Sequence, residues 1–503
     1  MNPERLLMID LSGPSLTPDE RAFLSEHPVG GVCLFARNIE DRFQVAELTS
    51  ELRSLCGDAL LVATDQEGGG VVRALDVPYP PSAMALGAVD DPALTEKVGA
   101  ATARGLRAQG INLNFAPVAD VNSNPRNPVI ADRAFGESPA HVARHVAAFV
   151  RGTQAAGVAA CAKHFPGHGD TETDSHLGLP ILEADLERLE ELEFVPFRAA
   201  LAADVAAVMT AHIVLPQLGA HYPATLSKDV LTGLLRDRLG FDGVVFTDAL
   251  NMRAIADRYT PTDAVLGALA AGADMPVHVG PLLEHREVVL RLQRVLDEGR
   301  LEPDAVVKSL ARVAALVRRY PAQVNPDAAW AEGDAALLQE AAGRSVVQIG
   351  KLDIKLPLTL VAAAQVRASA ASQTTVSPAE TLREVLDQAG LPAELLSYTR
   401  ASVGEAQAGL LERISRAPGT VVFVSTARTR MGAEERAFAQ AVARAARSFV
   451  HLALWNPYNV SDLPAPALVT FGFREMSLRA AAAALAGAPV TGKSPIILEP
   501  HLK

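Results

Sequence analysis

Residues 164–176 read HFPGHGDTETDSH, three histidines and two aspartates within thirteen positions, interrupted by Pro166, Gly167 and Gly169. Imidazoles and carboxylates at this density could hold a metal ion, move protons, or sit on a solvated polar turn. His164 and His168 have HxxxH spacing, with His176 as a third donor, but that spacing converges on a metal only along a helix. Pro166 and Gly167 between them argue against a helix. Asp174 and His176, at i and i+2, read more readily as an acid–base pair. In an extended segment their side chains leave the same side of the backbone, roughly 6–7 Å apart. The carboxylate can then fix the imidazole tautomer and favour its protonated form. The expectation is a general acid/base on a loop, with no metal and no cofactor.

Something must hold that loop. Over the first 320 residues short apolar runs alternate with longer amphipathic stretches: LLMID (6–10), GVCLF (31–35), LLVAT (60–64), INLNF (111–115), VAACA (158–162), AAVMT (206–210), GVVFT (243–247) and ADMPV (273–277). Runs this short, without clean alternation, suit strands buried on both faces. Between them PALTEKVGAATARGLRAQG (92–110) reads as a helix closing on Gly110. Eight such strands alternating with helices imply a (β/α)8 barrel, with an open doubly wound sheet as the alternative. A barrel places its chemistry at the C-terminal ends of the strands. There the sequence puts Asp65-Gln66-Glu67, Asp120, Lys163-His164, His212 and Asp248. Asp248, after an apolar strand, could be a nucleophile, a general base or a helix cap.

The rest of the chain narrows the setting. The net charge is −12 and no long basic run occurs, which disfavours nucleic acid as a partner. No run of about 18 apolar residues is present, so no membrane span is expected. The opening MNPERLLMIDLSG does not read as a signal peptide. Only Cys33, Cys56 and Cys161 occur, too few for a disulfide framework, so a cytoplasmic, reducing location is expected. After residue 320 the stretch RRYPAQVNPDAAWAEGD (318–334) reads as a linker. Apolar runs at 357–365, 420–426, 450–455 and 467–473 then imply a second, smaller α/β unit without a nucleotide fingerprint. The expected division is a catalytic barrel at 1–320, a linker at 321–340 and an α/β sandwich at 341–503.

Several stretches together resemble glycoside hydrolase family 3, within it the β-N-acetylglucosaminidases. They are GGVCLFARN (30–38), DQEGGGVVR (65–73), INLNFAPVADVN (111–122), DRAFG (132–136), KHFPGHGDTETDSH (163–176), MTAHI (209–213) and FTDALNM (246–252), in family order. The resemblance implies a (β/α)8 barrel followed by an αβα sandwich. It further implies a retaining mechanism with Asp248 as nucleophile, His176 as acid/base and Asp174 as its partner, where many glycosidases use two carboxylates. By the same resemblance Asp65, Arg73, Arg133, Lys163 and His164 would bind the sugar. The implied substrate is terminal β-linked N-acetylglucosamine on muropeptide fragments, a small carbohydrate partner. A phosphorylase and a β-glucosidase are the alternatives. The sequence departs from the family pattern at Gly70, where an arginine is common, at Ala249, where a second aspartate is frequent, and at Pro276 in the eighth strand. The resemblance leaves no catalytic task for the second domain.

Overall fold

A computed structural model describes residues 2–299, 301–367, 375–400 and 403–498. The first eight strands are β1 (Met8–Ile9), β2 (Gly31–Leu34), β3 (Leu61–Thr64), β4 (Leu113–Asn114), β5 (Ala159–Phe165), β6 (Ala207–Thr210), β7 (Val244–Phe246) and β8 (Val277–His278). They lie in the order β7-β6-β5-β4-β3-β2-β1-β8, every pairing parallel. Between the two ends of that order, Phe246 bridges Met275 and nearly closes the ring. The fold is the expected barrel. Each strand is buried along its whole length, which is why the apolar runs carry no alternation. Several are shorter than their runs. Pro276 explains β8: without an N–H it can only accept, from Met8 N–H at 3.1 Å, and regular pairing begins at Val277.

Helices form the outer ring and obey ordinary end chemistry. Pro92–Ala108 starts on Asp91, whose side chain accepts from Leu94 N–H, and the chain then reverses at Gly110 with φ +81°. Pro18–Glu26 begins with a capping box between Thr17 and Glu20. No described helix is long and apolar enough to cross a membrane. All three cysteines are free and buried.

The second sheet contains β9 (Val347–Ile349), β10 (Leu358–Ala363), β13 (Ala393–Tyr398), β14 (Val421–Ser425), β15 (Phe449–Ala453) and β16 (Ala467–Val469). Two short strands, β11 (Val366–Arg367) and β12 (Thr375–Val376), pair apart from it. Its order is β13-β10-β14-β15-β16-β9, with only β9 antiparallel among the described pairings. Apolar side chains leave both faces. Leu382, Leu386 and Leu478 pack on one side, and Ile414, Phe438 and Val442 on the other, giving a helix–sheet–helix sandwich. The stretch read as a linker carries the turn Pro326–Ala328 and then the helix Asp334–Ser345.

The sandwich packs directly on the barrel domain. Met84, Ala85 and Ala88 of the helix Ala83–Val89 share an apolar cluster with Tyr458, Val469, Phe471 and Ile496. Around it Ser82 Oγ donates to the Phe471 carbonyl at 2.6 Å and Asn122 Nδ2 to Tyr458 Oη at 2.8 Å. This docking brings the loops after β14 and β15 over the C-terminal end of the barrel.

Candidate active site

A cleft with about 990 Å3 of empty space, open to solvent, lies at that end of the barrel. Asp65, Arg73, Arg133, Lys163, His164, His176 and Asp248 all line it. Asp174 joins them through His176. The structure therefore gathers all eight candidate residues in one place.

The floor is a chain of paired charges. Lys163 Nζ lies 2.8 Å from Asp65 and 2.6 Å from Glu67. Arg133 grips Glu67 with two parallel bonds of 2.8 and 2.9 Å and donates to His164 Nε2 at 3.2 Å. Arg73 closes the other end on Asp65 at 3.2 Å. Because Arg133 can only donate, His164 Nε2 accepts and its Nδ1–H must go to Asp120, 2.8 Å away. Burial raises the Asp65 and Glu67 pKa values, but the Lys163, Arg73 and Arg133 charges outweigh it. Asp65 ends well below the usual carboxylate range and Glu67 at about 2. Burial lowers the Lys163 pKa, yet the two carboxylates hold it above the usual amine value. Consecutive residues of a regular strand point to opposite faces, but Lys163 and His164 both line the cleft. The register of β5 against β6 shifts between Ala162 and Phe165, the kind of irregularity that re-aims a side chain.

Asp248 follows β7. The next helix begins only at Arg253 with Met252 as its N-cap, so Asp248 does not cap it. Its Oδ1 accepts from Ala249 N–H at 2.8 Å. Burial pushes the Asp248 pKa up, while His164, His212, His176 and the Ala249 N–H bring it below the ordinary value, so it is a carboxylate near neutrality. His212 hydrogen-bonds the Ala249 carbonyl at 3.0 Å and Thr225 at 2.8 Å, fixing the backbone beside Asp248.

The loop after β5 crosses the cleft. Gly169 sits where a Cβ would come 1.6 Å from the Val121 carbonyl, so only glycine fits there. His168 stays inside the loop, bonded to Thr171 and Ser175 through its ring and to Asp120 through its N–H. The Asp174–His176 segment is not extended, as the spacing had implied. It is a turn in which Leu177 N–H returns to the Asp174 carbonyl at 2.8 Å. Asp174 Oδ1 accepts both His176 N–H at 3.0 Å and His176 Nδ1 at 2.8 Å. A short side chain bonding its own backbone two residues on competes well with extended structure. Asp174 is buried, which raises its pKa, but the bonds from His176 and the Arg428 charge hold it well below the usual range. His176 has 43% of its side chain exposed and lines the cleft.

Sequence reasoning missed two contributors from the second domain. Arg428, in the loop after β14, donates to Asp174 Oδ2 at 3.3 Å. Trp455, after β15, lines the cleft beside Gly70, and a Cβ on Gly70 would lie 3.0 Å from its ring. The missing arginine at position 70 is thus matched by an indole arriving from the other domain. Trp455 Nε1 donates to Asp132 Oδ1 at 3.1 Å, while Asp132 Oδ2 is buried without a partner. Burial pushes the Asp132 pKa up to about 7 against the opposing pull of Trp455 and two arginines. Glu67 and Asp120 were visible as rim residues but not as the groups that orient Arg133 and His164.

The opening histidines form no metal cluster among the described residues. One grouping with ligand atoms within 4.8 Å of one another is Asp90, His141 and His145, away from the cleft. There Arg144 already donates to Asp90 at 2.8 Å and to His141 at 3.2 Å.

Residues 4–316 match the glycosyl hydrolase family 3 N-terminal domain. The chain belongs to glycosyl hydrolase family 3. It is 42% identical over 280 residues to a β-hexosaminidase of Chromobacterium violaceum, covering 54% of this chain and 78% of that one. It is 36% identical over 336 residues to β-hexosaminidase A of Pseudoalteromonas piscicida, a match that spans only 56% of that relative and 61% of this chain. A solved family 3 β-N-acetylglucosaminidase from Paenibacillus superposes with a TM-score of 0.90 at 34% identity, covering 99% of this chain and 98% of its own. That structure matches both units of the fold, as the resemblance in the motifs had implied.

Proposed function

We propose that the protein is a retaining exo-β-N-acetylglucosaminidase that releases terminal β-linked N-acetylglucosamine. The Asp174–His176 pair, held over the cleft that contains the ionised Asp248, is the observation that carries this reading. An Asp248 oxygen attacks the anomeric carbon. As that bond forms, the bond to the leaving oxygen breaks and His176 Nε2 delivers its proton there, its Nδ1–H remaining on Asp174. Water then attacks the same carbon, gives a proton back to His176, and frees Asp248. Asp65, Arg73, Arg133, Lys163 and His164 would hold the sugar hydroxyls, the charged donors giving the stronger bonds. The solved Paenibacillus enzyme and the β-hexosaminidases named above support the choice of an acetamido sugar. The natural substrate carried from the family resemblance is a muropeptide fragment of cytoplasmic peptidoglycan turnover.

The test compares para-nitrophenyl β-N-acetylglucosaminide with the β-glucoside, using wild type and Asp248→Asn. A strong preference for the acetamido sugar, lost in the variant, is expected. Preference for the glucoside would overturn the substrate, and sugar-1-phosphate formed in phosphate buffer would replace the hydrolase with a phosphorylase.

A further inference from the structure

The cleft holds four cations, and each meets a carboxylate: Arg73, Lys163 and Arg133 on the floor within 3.2 Å, and Arg428 on Asp174 at 3.3 Å. Arg428 is the one that reaches in from the second domain. Its one side-chain bond among the described residues is the 3.3 Å contact to Asp174 Oδ2, on a carboxylate already shared with His176. Its remaining N–H donors face no described acceptor, and the side chain lines the cleft. A guanidinium with spare donors in a partly desolvated cleft is a ready receptor for a planar anion.

Its backbone is fixed. Asn456 Nδ2 donates to the Arg428 carbonyl at 2.8 Å, and Asn456 N–H to the Ala427 carbonyl at 3.3 Å, tying the loop after β14 to the end of β15. Its position along the cleft is also set. His176 delivers its proton to the leaving group, and Arg428 touches the same Asp174, so it stands on the leaving-group side.

We infer that Arg428, reaching in from the second domain, binds a carboxylate carried by the leaving group, so that the enzyme selects N-acetylglucosaminides of an anionic aglycone. This rests on the assignment of His176 as the acid. It gives the second domain a direct part in substrate choice, beyond packing. The proximity to Asp174 permits another role for the same residue, that of holding the acid/base pair, and the two roles separate by experiment.

The probes are N-acetylglucosaminyl-N-acetylmuramic acid and its lactyl methylamide, which share a leaving sugar and differ by one charge. For wild type, kcat/KM is expected to be about tenfold or more higher on the acid, the scale of a charge-assisted hydrogen bond. In Arg428→Ala that ratio should fall towards one, and Arg428→Lys should restore part of it. Because the ratio compares two substrates in one preparation, a partly unfolded variant cannot mimic the result. Equal wild-type rates on both probes would overturn the inference. So would an Arg428→Ala loss of the same factor on both, which would make Arg428 a positioning residue for Asp174. Formation of sugar-1-phosphate that disappears in Arg428→Ala would instead give Arg428 to an acceptor phosphate. If wild type cleaves neither probe nor the nitrophenyl N-acetylglucosaminide, it is the proposed function that fails.

Discussion

The floor of the cleft and the loop above it are built from the same residue types to opposite ends. On the floor, Lys163 is 3% exposed and every charge from Arg73 to Arg133 has a carboxylate or cation against it. On the loop, Asp174 is equally buried, yet His176 stands 43% exposed with one described side-chain partner. A floor whose charges are already paired has little to rearrange when a neutral sugar enters. A half-free imidazole can exchange protons with a leaving group and then with water. Rigidity and reactivity are separated in space, and charge pairing decides which residue gets which.

The contrast can be broken from either side. Lys163→Ala should have the largest effect on stability, leaving Asp65 to Arg73 alone and Glu67 to Arg133 alone, at a cost of about 3 kcal/mol for two charge-assisted hydrogen bonds lost. Denaturant unfolding checks it, and a loss below about 1 kcal/mol would mean that water readily replaces the amine. His176→Ala should lower kcat/KM by about 10²–10⁴-fold on leaving groups that need a proton, with far smaller losses on activated aryl glycosides. Its unfolding free energy should fall by no more than about 1.5 kcal/mol, because Asp174 keeps the backbone N–H of residue 176 and Arg428 as partners. Equal loss on both substrate types would remove His176 as the acid. Asp174→Asn should cost about tenfold or more in rate while the fold survives, and an unchanged rate would take Asp174 out of the pair.

The smallest effect sharpens the comparison through pH. Glu67, with its pKa lowered to about 2, contributes stability above its ordinary value of 4.5 that is lost as pH falls towards 2. Asp132 runs the other way. Its folded pKa of about 7 exceeds the ordinary 3.8, so the folded state holds the extra proton and stability declines as pH rises between those values. Asp132→Asn keeps the acceptor for Trp455 and removes that decline. Unfolding at about pH 6 and about pH 8 should show wild type losing roughly 1 kcal/mol more than the variant. Equal losses would show Asp132 to be ionised in the folded state.

Much of this was legible in the chain. Strands buried on both faces must be apolar throughout, so VAACA and GVVFT announced β5 and β7. Chemistry at a barrel's C-terminal rim places polar residues just after such runs, so Lys163, His164 and Asp248 followed. The shape of the acid/base turn was not legible, because the i, i+2 spacing of Asp174 and His176 fits both a strand and a side-chain-bonded turn. Only the bonds to Asp174 Oδ1 decide between them. Arg428 lay out of reach for another reason. It is 254 residues from Asp174, and nothing local marks one arginine of a surface-forming loop as the one that docking turns inward.

Gly70 and Trp455 carry a historical consequence. One occupies space that the other leaves empty, though 385 positions separate them in the chain (455 minus 70). An alanine at 70 asks the indole to yield by a few tenths of an ångström. A longer side chain must turn out of the cleft or displace the ring and its bond to Asp132. The two positions are therefore expected to mutate as a pair: lineages that keep the indole should keep the glycine, and a side chain at 70 should appear only where the tryptophan has gone.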